Sequence, residues 1–411
     1  MKIGVVGLGY VGLTVAVVLA NQGNRVVGVD INTDTVKMLK EGQIHFYEPG
    51  LQELLNTVSK RMEFSTDYKA LGDSKVIFVA VPTPTRKGKI DLSYVSNTLR
   101  SIKRVNMKCI VVIRSTVVPG TATKFALETG LNIASNPEFT RAGSALRDSL
   151  DPDKVVIGTP NKQDANMLEK IWKFTKAPVI KTTRENAEMI KYANNTFHAT
   201  KVSFINELAN VCEKIPGCDI EVVAYGLGLY DKIAPKFLKA GLGFGGSCIL
   251  KDSDAFVTFA KEVGEETPII SAAIEINNKR ADRVLQLIKK HTGDTKFKKT
   301  RIGVLGVSFK KNTDDTRDSS AVKLIKMLHA IGIKVNYYDP VVKWSGSNMG
   351  EQYQSLDECI KHSDVIVIAT DWDEFKRLPK SAANKLVIDT RRVTTNVNLK
   401  NFKAIGTYTK I

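Results

Sequence analysis

The sequence predicts an α/β protein with two Rossmann-like doubly wound domains joined by a long central helical segment. Three observations predict this fold: a glycine-rich strand–turn–helix unit at the N-terminus, buried apolar runs that alternate with helical stretches, and a similar unit that starts again near residue 301. These patterns divide the chain into an N-terminal domain over residues 1–185, a central helical region over 186–290 and a C-terminal domain over 291–411.

The first unit consists of a strand, a glycine turn, a helix and a second strand that ends in an acid. Its segments are Lys2–Gly7, Gly7–Gly12, the apolar stretch through Ala20, Arg25–Val29 and Asp30. The first glycine permits the tight turn, the second lets the backbone approach a pyrophosphate, and the third allows the helix to pack closely on the strand. The terminal acid accepts hydrogen bonds from a ribose and repels a 2′-phosphate, which favours NAD over NADP. The predicted NAD-binding residues are Gly7, Gly9, Tyr10, Val11, Gly12 and Asp30.

Further apolar runs alternate with helical stretches and predict a parallel sheet with crossover helices. These runs are Val76–Val81, Cys109–Ile113, Leu131–Ser135 and Val155–Ile157. Polar residues follow three of the runs, among them Thr83, Thr116 and Glu138. Because ligands of open α/β sheets bind beyond the carboxyl ends of the strands, these three residues are candidates for the site.

The middle of the chain is predicted to be helical, and the strand–turn–helix–strand pattern of the N-terminus is then repeated. Long amphipathic helices are expected from about Asn186 to Asn210 and again from Thr267 to Lys290. A strand and turn at 301–306, a helix at 320–330 and a strand ending in acid at 334–339 follow, with later strands at 364–369 and 386–389. This is a weak internal duplication. Val307 and Ser308 replace the turn's later glycines, so a second NAD is not expected there.

Composition excludes several classes of protein. The 411 residues carry a formal charge of +17, but the lysines are spread along the chain, so no nucleic-acid partner is predicted and an anionic small substrate fits equally well. The five cysteines are scattered without metal-ligand spacing, which predicts neither a metal site nor a disulfide framework. Neither a secretory signal nor an apolar run of membrane-spanning length is recognisable, so we expect a cytoplasmic protein that does not span a membrane.

Cys248 is the sharpest chemical feature. It ends the glycine-rich stretch Gly241–Gly246, and Lys251 and Asp252 follow it closely. A neighbouring ammonium lowers the pKa of a thiol and so increases its thiolate fraction. In an NAD enzyme, a thiolate can add to an aldehyde to give a thiohemiacetal, which loses a second hydride to become a thioester.

Motifs along nearly the full chain resemble the UDP-glucose dehydrogenase branch of the nucleotide-sugar 6-dehydrogenase family. The resembling segments are Gly7–Gly12, Tyr47–Leu51, Ser115–Val117, Asn136–Phe139, Glu188–Asn195, Gly243–Asp252, Phe309–Arg317 and Tyr338–Pro340. The resemblance implies a four-electron oxidation of UDP-glucose to UDP-glucuronate by two NAD used in succession, with Cys248 as covalent catalyst. It also implies a homodimer or a higher homo-oligomer.

The same resemblance implies residue roles. Lys191 and Asn195, one helical turn apart, would stabilise the oxyanion at carbon 6. Asp252 would orient water or move protons, Glu138 would be the base for thioester hydrolysis, and Thr116 would position a water. Arg317 would reach the NAD pyrophosphate. The implied substrate-binding residues are Glu138, Phe139, Lys191, Asn195, Lys232, Lys239, Gly245, Lys310 and Arg391.

Three departures from the family pattern leave alternatives open. Ala142 stands where a second glutamate is common, Lys232 where arginine is usual, and Thr390 where glycine precedes Arg391. The last two affect sugar and base specificity. Relatives acting on GDP-mannose share Ser-Cys and a histidine such as His198, whereas those acting on UDP-N-acetylmannosamine have Gly-His-Cys and are disfavoured. A two-electron hydroxy-acid dehydrogenase and a non-enzymatic nucleotide-sugar binder are the remote alternatives.

Overall fold

The computed structural model describes residues 1–86, 88–344, 348–395 and 399–408, and these form two compact units. The first unit comprises residues 1–194 with 254–264, and the second comprises 195–253 with 265–411. The two-unit division and the predicted three-domain division cut the chain differently, and the three-domain boundaries stay a prediction. No helix among the described residues is long and apolar enough to cross a membrane.

The first unit is built on an eight-stranded sheet. Its strands are β1 (Lys2–Val6), β2 (Arg25–Val29), β3 (Met62–Ser65), β4 (Val76–Val79), β7 (Ile110–Ile113), β8 (Asn132–Ser135), β9 (Val155–Gly158) and β10 (Val179–Thr182), with a hairpin of β5 (Thr85–Arg86) and β6 (Lys89–Ile90) outside the sheet. The strand order is β10-β9-β8-β7-β4-β1-β2-β3. From β3 to β8 this is the doubly wound order, which reverses between β1 and β4.

Helices cover this sheet and supply the rest of its core. They are α1 (Tyr10–Asn21), α2 (Thr33–Lys40), α3 (Leu51–Val58), α4 (Ser93–Val105), α5 (Thr121–Thr129), α6 (Ala145–Leu150) and α7 (Lys162–Trp172). Strand β1 is almost entirely buried, as is α1 from Gly12 to Ala20, in keeping with their apolar sequences. Burial on both faces is typical of strands in a sheet covered by crossover helices.

The second unit contains a six-stranded, all-parallel sheet with the same kind of order, β13-β12-β11-β14-β15-β16. Its strands are β11 (Arg301–Leu305), β12 (Lys334–Tyr338), β13 (Glu351–Gln352), β14 (Val365–Ile368), β15 (Leu386–Asp389) and β16 (Asn401–Ala404). Its helices are α9 (Ile220–Gly228), α11 (Pro268–Asn278), α12 (Arg280–Thr292), α13 (Asp294–Phe297), α14 (Ser320–Ala330) and α15 (Leu356–Lys361). Two helices, α8 (Arg184–Cys212) and α10 (Ile249–Glu262), contribute residues to both units.

The structure corrects two expectations about these elements. The first sheet is not wholly parallel, because β9 pairs antiparallel with β8, and β10 runs parallel to β9. The amphipathic stretch from Thr267 to Lys290 forms two helices rather than one, with Lys279 between them. Arg280, which begins the second of these helices, is 1% exposed and bonds to the Gly241 carbonyl, so a tertiary contact overrides the local pattern at this position.

The predicted internal duplication is visible at the first turn of each sheet. In the first, the Gly7 amide donates to the Val29 carbonyl over 2.8 Å, and the Leu8 amide donates to Asp30 over 2.7 Å. In the second, the Gly306 amide donates to the Tyr338 carbonyl over 2.7 Å, and the Val307 amide donates to Asp339 over 2.7 Å. The same two hydrogen bonds therefore join the first turn to the second strand in both sheets.

Candidate active site

The N-terminal turn has the geometry of a dinucleotide site. A Cβ at Gly12 would lie 1.7 Å from the Gly7 carbonyl oxygen, so only glycine permits this packing, whereas a Cβ at Gly9 would meet nothing within 4 Å. The exposed Gly9 precedes the first residue of α1, so the positive end of that helix faces open space suited to a pyrophosphate. Asp30 accepts from Leu8 and from Asn32, which fixes its carboxylate at the end of β2.

Asp339, the corresponding acid of the second sheet, has different hydrogen-bond partners from Asp30. Asp339 is buried and accepts from the amides of Val307, Ser308, Val341 and Val342. Its Oδ2 also accepts from the Ser308 hydroxyl over 3.1 Å. These five hydrogen bonds engage both oxygens of the Asp339 carboxylate, so it is not available to a ribose in the way Asp30 is.

Loops after β4 and β7 are bonded to one another at the edge where the strand order reverses. The Ser115 hydroxyl donates to the Val81 carbonyl over 2.7 Å, and the Thr83 hydroxyl donates to the Thr116 carbonyl over 2.9 Å. The predicted residues Thr83 and Thr116 therefore lie side by side, as the topology of neighbouring parallel strands requires.

Glu138 and Lys191 form a buried ion pair in the first unit. The Lys191 ammonium donates to Glu138 Oε1 over 2.9 Å, while Oε2 accepts from the Thr140 amide over 2.5 Å and the Thr140 hydroxyl over 2.7 Å. Burial raises the pKa of Glu138, but the Lys191 charge and the Thr140 hydrogen bond outweigh it, so the pKa lies below its ordinary value. Glu138 is thus an ionised counter-ion that keeps an ammonium charged out of water.

Phe139 lies beneath two ammonium groups. The Lys154 Nζ is 4.1 Å from the centre of its ring and the Lys191 Nζ is 5.5 Å away. The ring face attracts both cations. Burial lowers the pKa of Lys154, and the Lys191 charge lowers it further against the opposing effect of Asp153. Two cations converge on a position suited to developing negative charge.

Cys248 stands at the start of α10 in the second unit and is exposed. Its carbonyl accepts from the Asp252 amide over 2.8 Å, which closes the first turn of that helix. The Ser247 hydroxyl oxygen is 3.7 Å from the Cys248 sulfur. A helix N-terminus favours a thiolate, because the unpaired amides there carry partial positive charge.

Asp252 is fully buried and joins α10 to α8. Its Oδ2 accepts from the Asn195 side-chain amide over 2.7 Å, and its Oδ1 accepts from the Lys251 ammonium over 2.5 Å. The Lys251 ammonium, which the sequence suggested as the group that activates the thiol, is therefore paired with this carboxylate. Cys248 directly precedes α10, so the N-terminus of that helix also lies beside the thiol.

The glycine loop before Cys248 is held by side chains of α8, α11 and α12. Asn277 accepts from the Phe244 amide over 2.8 Å and donates to the Phe244 carbonyl over 3.0 Å, as a neighbouring strand would. Asn206 accepts from the Gly241 amide over 2.8 Å, and Arg280 donates to the Gly241 carbonyl over 2.8 Å. These contacts fix the backbone that positions Cys248.

The loop after β11 contacts the other side of the glycine loop. The Gly246 amide donates to the Arg317 carbonyl over 3.0 Å, and a Cβ at Gly245 would lie 2.4 Å from the Asp318 carbonyl oxygen. The Arg317 guanidinium forms a two-point pair with Asp315, with distances of 2.9 and 2.7 Å. The Lys310 Nζ lies 5.8 Å from the centre of the Phe309 ring.

Arg391 also reaches the glycine loop. Its Nε donates to the Ala369 carbonyl over 2.7 Å and its Nη1 donates to the Gly243 carbonyl over 3.2 Å. Lys232 and Lys239 are exposed, in the loop that follows α9. Lys201 stabilises this loop by donating to the carbonyls of Ile233 and Ala234.

Family models match the chain in three stretches. The NAD binding domain of the UDP-glucose/GDP-mannose dehydrogenase family matches residues 1–176, its central domain matches 185–279 and its UDP binding domain matches 303–396. The chain belongs to the UDP-glucose/GDP-mannose dehydrogenase family. The predicted family and the predicted NAD cofactor are thereby confirmed, and the protein is an NAD-dependent dehydrogenase.

Individual members of the family are similar over most of their length. UDP-glucose 6-dehydrogenase YwqF of Bacillus subtilis is 38% identical, with 94% of this chain and 91% of the relative covered. TuaD of the same organism, also a UDP-glucose 6-dehydrogenase, is 40% identical, with 92% and 85% covered. The solved structure of a UDP-glucose dehydrogenase from Pyrobaculum islandicum is 34% identical, covers 99% and 98%, and gives a TM-score of 0.92, which confirms the predicted fold class.

Several residues that contact the candidate site residues were not predicted from the sequence. Thr140 and Lys154 surround Glu138 and Phe139, and Asn277 and Arg280 hold the glycine loop. A polar residue at a buried position of an amphipathic helix was the available signal for Asn277 and Arg280. Such a residue is expected to form a tertiary hydrogen bond, but the sequence pattern does not show which residue it bonds to.

Glu188 is a further missed residue, one helical turn before Lys191. It is 2% exposed and accepts from the amides of Gly120 over 2.7 Å and Ala122 over 2.9 Å, at the start of α5. Burial raises the pKa of Glu188 to about 7, against the lowering effect of the two amides. The carboxylate therefore ties α8 to the loop that carries Thr116.

Replacing Glu188 with glutamine tests this assignment through pH. The unfolded chain releases the proton near the ordinary pKa of 4.5, whereas the folded chain keeps it up to a pKa of about 7. Stability contributed by this group is therefore present below pH 4.5 and lost as the pH rises to 7, by about 3 kcal/mol. Urea unfolding across this range should show wild type losing stability relative to Glu188→Gln. Glu185→Gln is the control, since the pKa of Glu185 is lowered, chiefly by Thr123; equal slopes for all three proteins would contradict the assignment.

Proposed function

We propose that this chain oxidises the primary alcohol of UDP-glucose to the carboxylate of UDP-glucuronate, with Cys248 as nucleophile. One observation carries the proposal: the Asn195 side-chain amide donates a hydrogen bond to the Asp252 carboxylate. Asn195 lies one helical turn after Lys191 on α8, and Asp252 lies one helical turn after Cys248. The Asn195 amide and the Asp252 carboxylate are thereby held together in the second unit, next to the segment that carries Cys248. The names of the relatives YwqF and TuaD support the choice of sugar.

The chemistry divides into two hydride transfers. Carbon 6 gives its first hydride to NAD as the alcohol loses its proton, and the Cys248 thiolate adds to the resulting aldehyde. The thiohemiacetal gives its second hydride to a second NAD and becomes a thioester, which water hydrolyses. The full reaction thus consumes one water and two NAD and yields the carboxylate, two NADH and three protons.

Each side chain has a proposed part in this scheme. Lys191 and Asn195 stabilise the oxyanion at carbon 6, because their donors are fixed before the reaction begins. Asp252 orients water through a carboxylate whose position is set by Asn195 and Lys251. Glu138 is the base for hydrolysis; its lowered pKa makes it a weak one, so its larger contribution is to hold Lys191.

The cofactor and the nucleotide have separate proposed sites. The turn at Gly7–Gly12, Asp30, Thr83, Thr116 and Arg317 binds NAD, and Lys310, Arg391, Lys232, Lys239, Gly245 and Phe139 bind the UDP-sugar. The match of residues 303–396 to a UDP binding domain supports the second assignment. We also place the protein in the cytoplasm, in keeping with its five free cysteines.

The substrate assignment is tested by initial rates of NAD reduction with three nucleotide sugars. UDP-glucose is expected to give a kcat/KM at least ~100-fold above those of GDP-mannose and UDP-N-acetylmannosamine, because buried groups that pair with one sugar are left unpaired by another. His198, stacked on Phe237 with ring centres 3.9 Å apart, keeps GDP-mannose as the second candidate. A higher kcat/KM for GDP-mannose than for UDP-glucose would make GDP-mannose the substrate and contradict the assignment.

We further propose that two copies of the chain associate through α8. Phe197, Phe204 and Val211 are spaced by seven residues and are 63%, 46% and 51% exposed, so they form an apolar stripe on one face of the helix. Exposed apolar surface of this kind marks an interaction site, and α9 adds Val222 and Tyr225.

Phe204→Asp is expected to shift the protein from dimer to monomer in analytical ultracentrifugation, because a charge cannot be buried unpaired in the interface. Leu127→Asp is the matched control, since Leu127 is an isolated apolar residue on α5 that is 83% exposed. A Phe204→Asp protein that stays dimeric would exclude this face.

A further inference from the structure

A cavity of about 270 Å³ lies within the second unit, apart from the residues assigned to the reaction. It is bounded by the end of α8, by one face of α12 and by β15 and β16. Leu287, Ile388 and Ala404 form its apolar portion. The remaining lining is dominated by basic side chains, namely Lys214, Arg283, Lys290, His291 and Lys403.

Arg283 has donor capacity left over at this cavity. Its Nη2 is paired with Glu213, whose other oxygen accepts from the Gly406 amide over 3.1 Å. The Arg283 Nε is buried and has no hydrogen-bond partner among the residues that the structure describes. Arg283 lines the cavity, so its guanidinium charge lies beside this space. A guanidinium matches the oxygens of phosphate or carboxylate groups.

The other basic side chains of the lining repel one another across the cavity. Burial lowers the pKa of His291, and the charges of Lys403 and Lys290 lower it further. Among the described residues that line the cavity, Glu213 is the single carboxylate, and it is already engaged by Arg283 and Gly406. With His291 neutral, the four lysine and arginine side chains exceed this carboxylate by three positive charges. An anion with several charges would relieve that repulsion.

We propose that this cavity is a second, non-catalytic binding site for a small anion that carries a diphosphate group. The diphosphate oxygens pair with the Arg283 guanidinium and with the ammonium groups of Lys290 and Lys403. The apolar portion of the lining accommodates the uncharged part of the ligand, where there is one. The site stands independently of the proposed reaction, because none of its residues takes part in it.

Pyrophosphate is the first probe, and the imidazole signals of His291 in NMR spectra report on the cavity directly. The five histidines make the assignment simple with a His291→Asn protein. Saturable movement of the His291 signals is expected in wild type. Lys290→Ala and Lys403→Ala should weaken the affinity about tenfold each, since hydrogen bonds to charged groups are among the stronger ones. Lys326→Ala, which removes an exposed lysine from α14, should leave it unchanged.

Two outcomes would overturn the proposal. His291 signals that do not move at millimolar pyrophosphate would mean that the cavity binds no diphosphate. Signals that move with equal affinity in all three lysine variants would mean that the anion binds elsewhere. UDP and ATP serve as second probes: tighter binding than pyrophosphate identifies a nucleotide as the source of the phosphate groups, and weaker binding identifies an inorganic one.

Discussion

Replacing Cys248 with serine is expected to lower kcat by about 10³-fold or more. A hydroxyl is not ionised near neutral pH, whereas the proposed mechanism requires a thiolate, which a helix N-terminus favours, to attack the aldehyde. Steady-state NADH formation measures the loss. Mass spectrometry of protein quenched during turnover should show a sugar adduct on wild type that is absent from Cys248→Ser.

Cys218→Ser is the matched control for this substitution. Cys218 is a free cysteine that is partly buried, and it lies outside the glycine loop. Its replacement is expected to leave kcat within about twofold, as for substitutions away from a site. A Cys248→Ser enzyme with a tenth or more of wild-type turnover would remove the covalent step from the mechanism.

Replacing Lys191 with methionine is expected to damage both stability and activity. It leaves the Glu138 carboxylate buried without its ammonium partner, which costs about 3–5 kcal/mol. It also removes the cation from the developing oxyanion, which should lower kcat by about 10²–10³-fold. Urea unfolding and steady-state kinetics measure the two effects separately.

A double variant separates the structural role of Lys191 from the chemical one. Adding Glu138→Gln to Lys191→Met removes the uncompensated charge, so most of the lost stability should return while activity does not. Lys154→Met is the control for stability, because Lys154 lies over the same Phe139 ring but forms no ion pair with a buried carboxylate among the described residues. Activity regained in the double variant would show that the reaction does not use the charge of Lys191.

The sequence predicted the two sheets well because their signals are local. Apolar runs predicted β2 and β15 to the residue, and the helix expected at 320–330 has the bounds of α14. The reversed direction of β9 was not predictable from periodicity, since a buried strand has the same pattern in either direction. The break at Lys279 was missed; it lies next to a contact of Arg280 with Gly241, a residue far away in the sequence, and helical periodicity does not report such contacts.

The candidate site also contains parts that local sequence motifs predict and parts that only three-dimensional contacts reveal. The turn at Gly7–Gly12 and the loop before Cys248 are continuous motifs, and their residue types show their chemistry. The roles implied for Lys191 and Asn195 came from the resemblance, because an isolated lysine on a helix predicts only a solvated face. The pairing of Glu138 with Lys191, and of Asp252 with Asn195, depends on three-dimensional contacts between segments that are more than 50 residues apart.

In the proposed mechanism, the Cys248 thiol carries one sugar through two successive oxidations. The most direct test is the number of NADH molecules formed per molecule of UDP-glucose when the sugar is limiting and NAD is in excess. The mechanism predicts about two NADH per sugar, with UDP-glucuronate as the only sugar product. A yield of about one NADH per sugar, with the aldehyde released, would contradict the thioester mechanism and indicate a simple alcohol dehydrogenase.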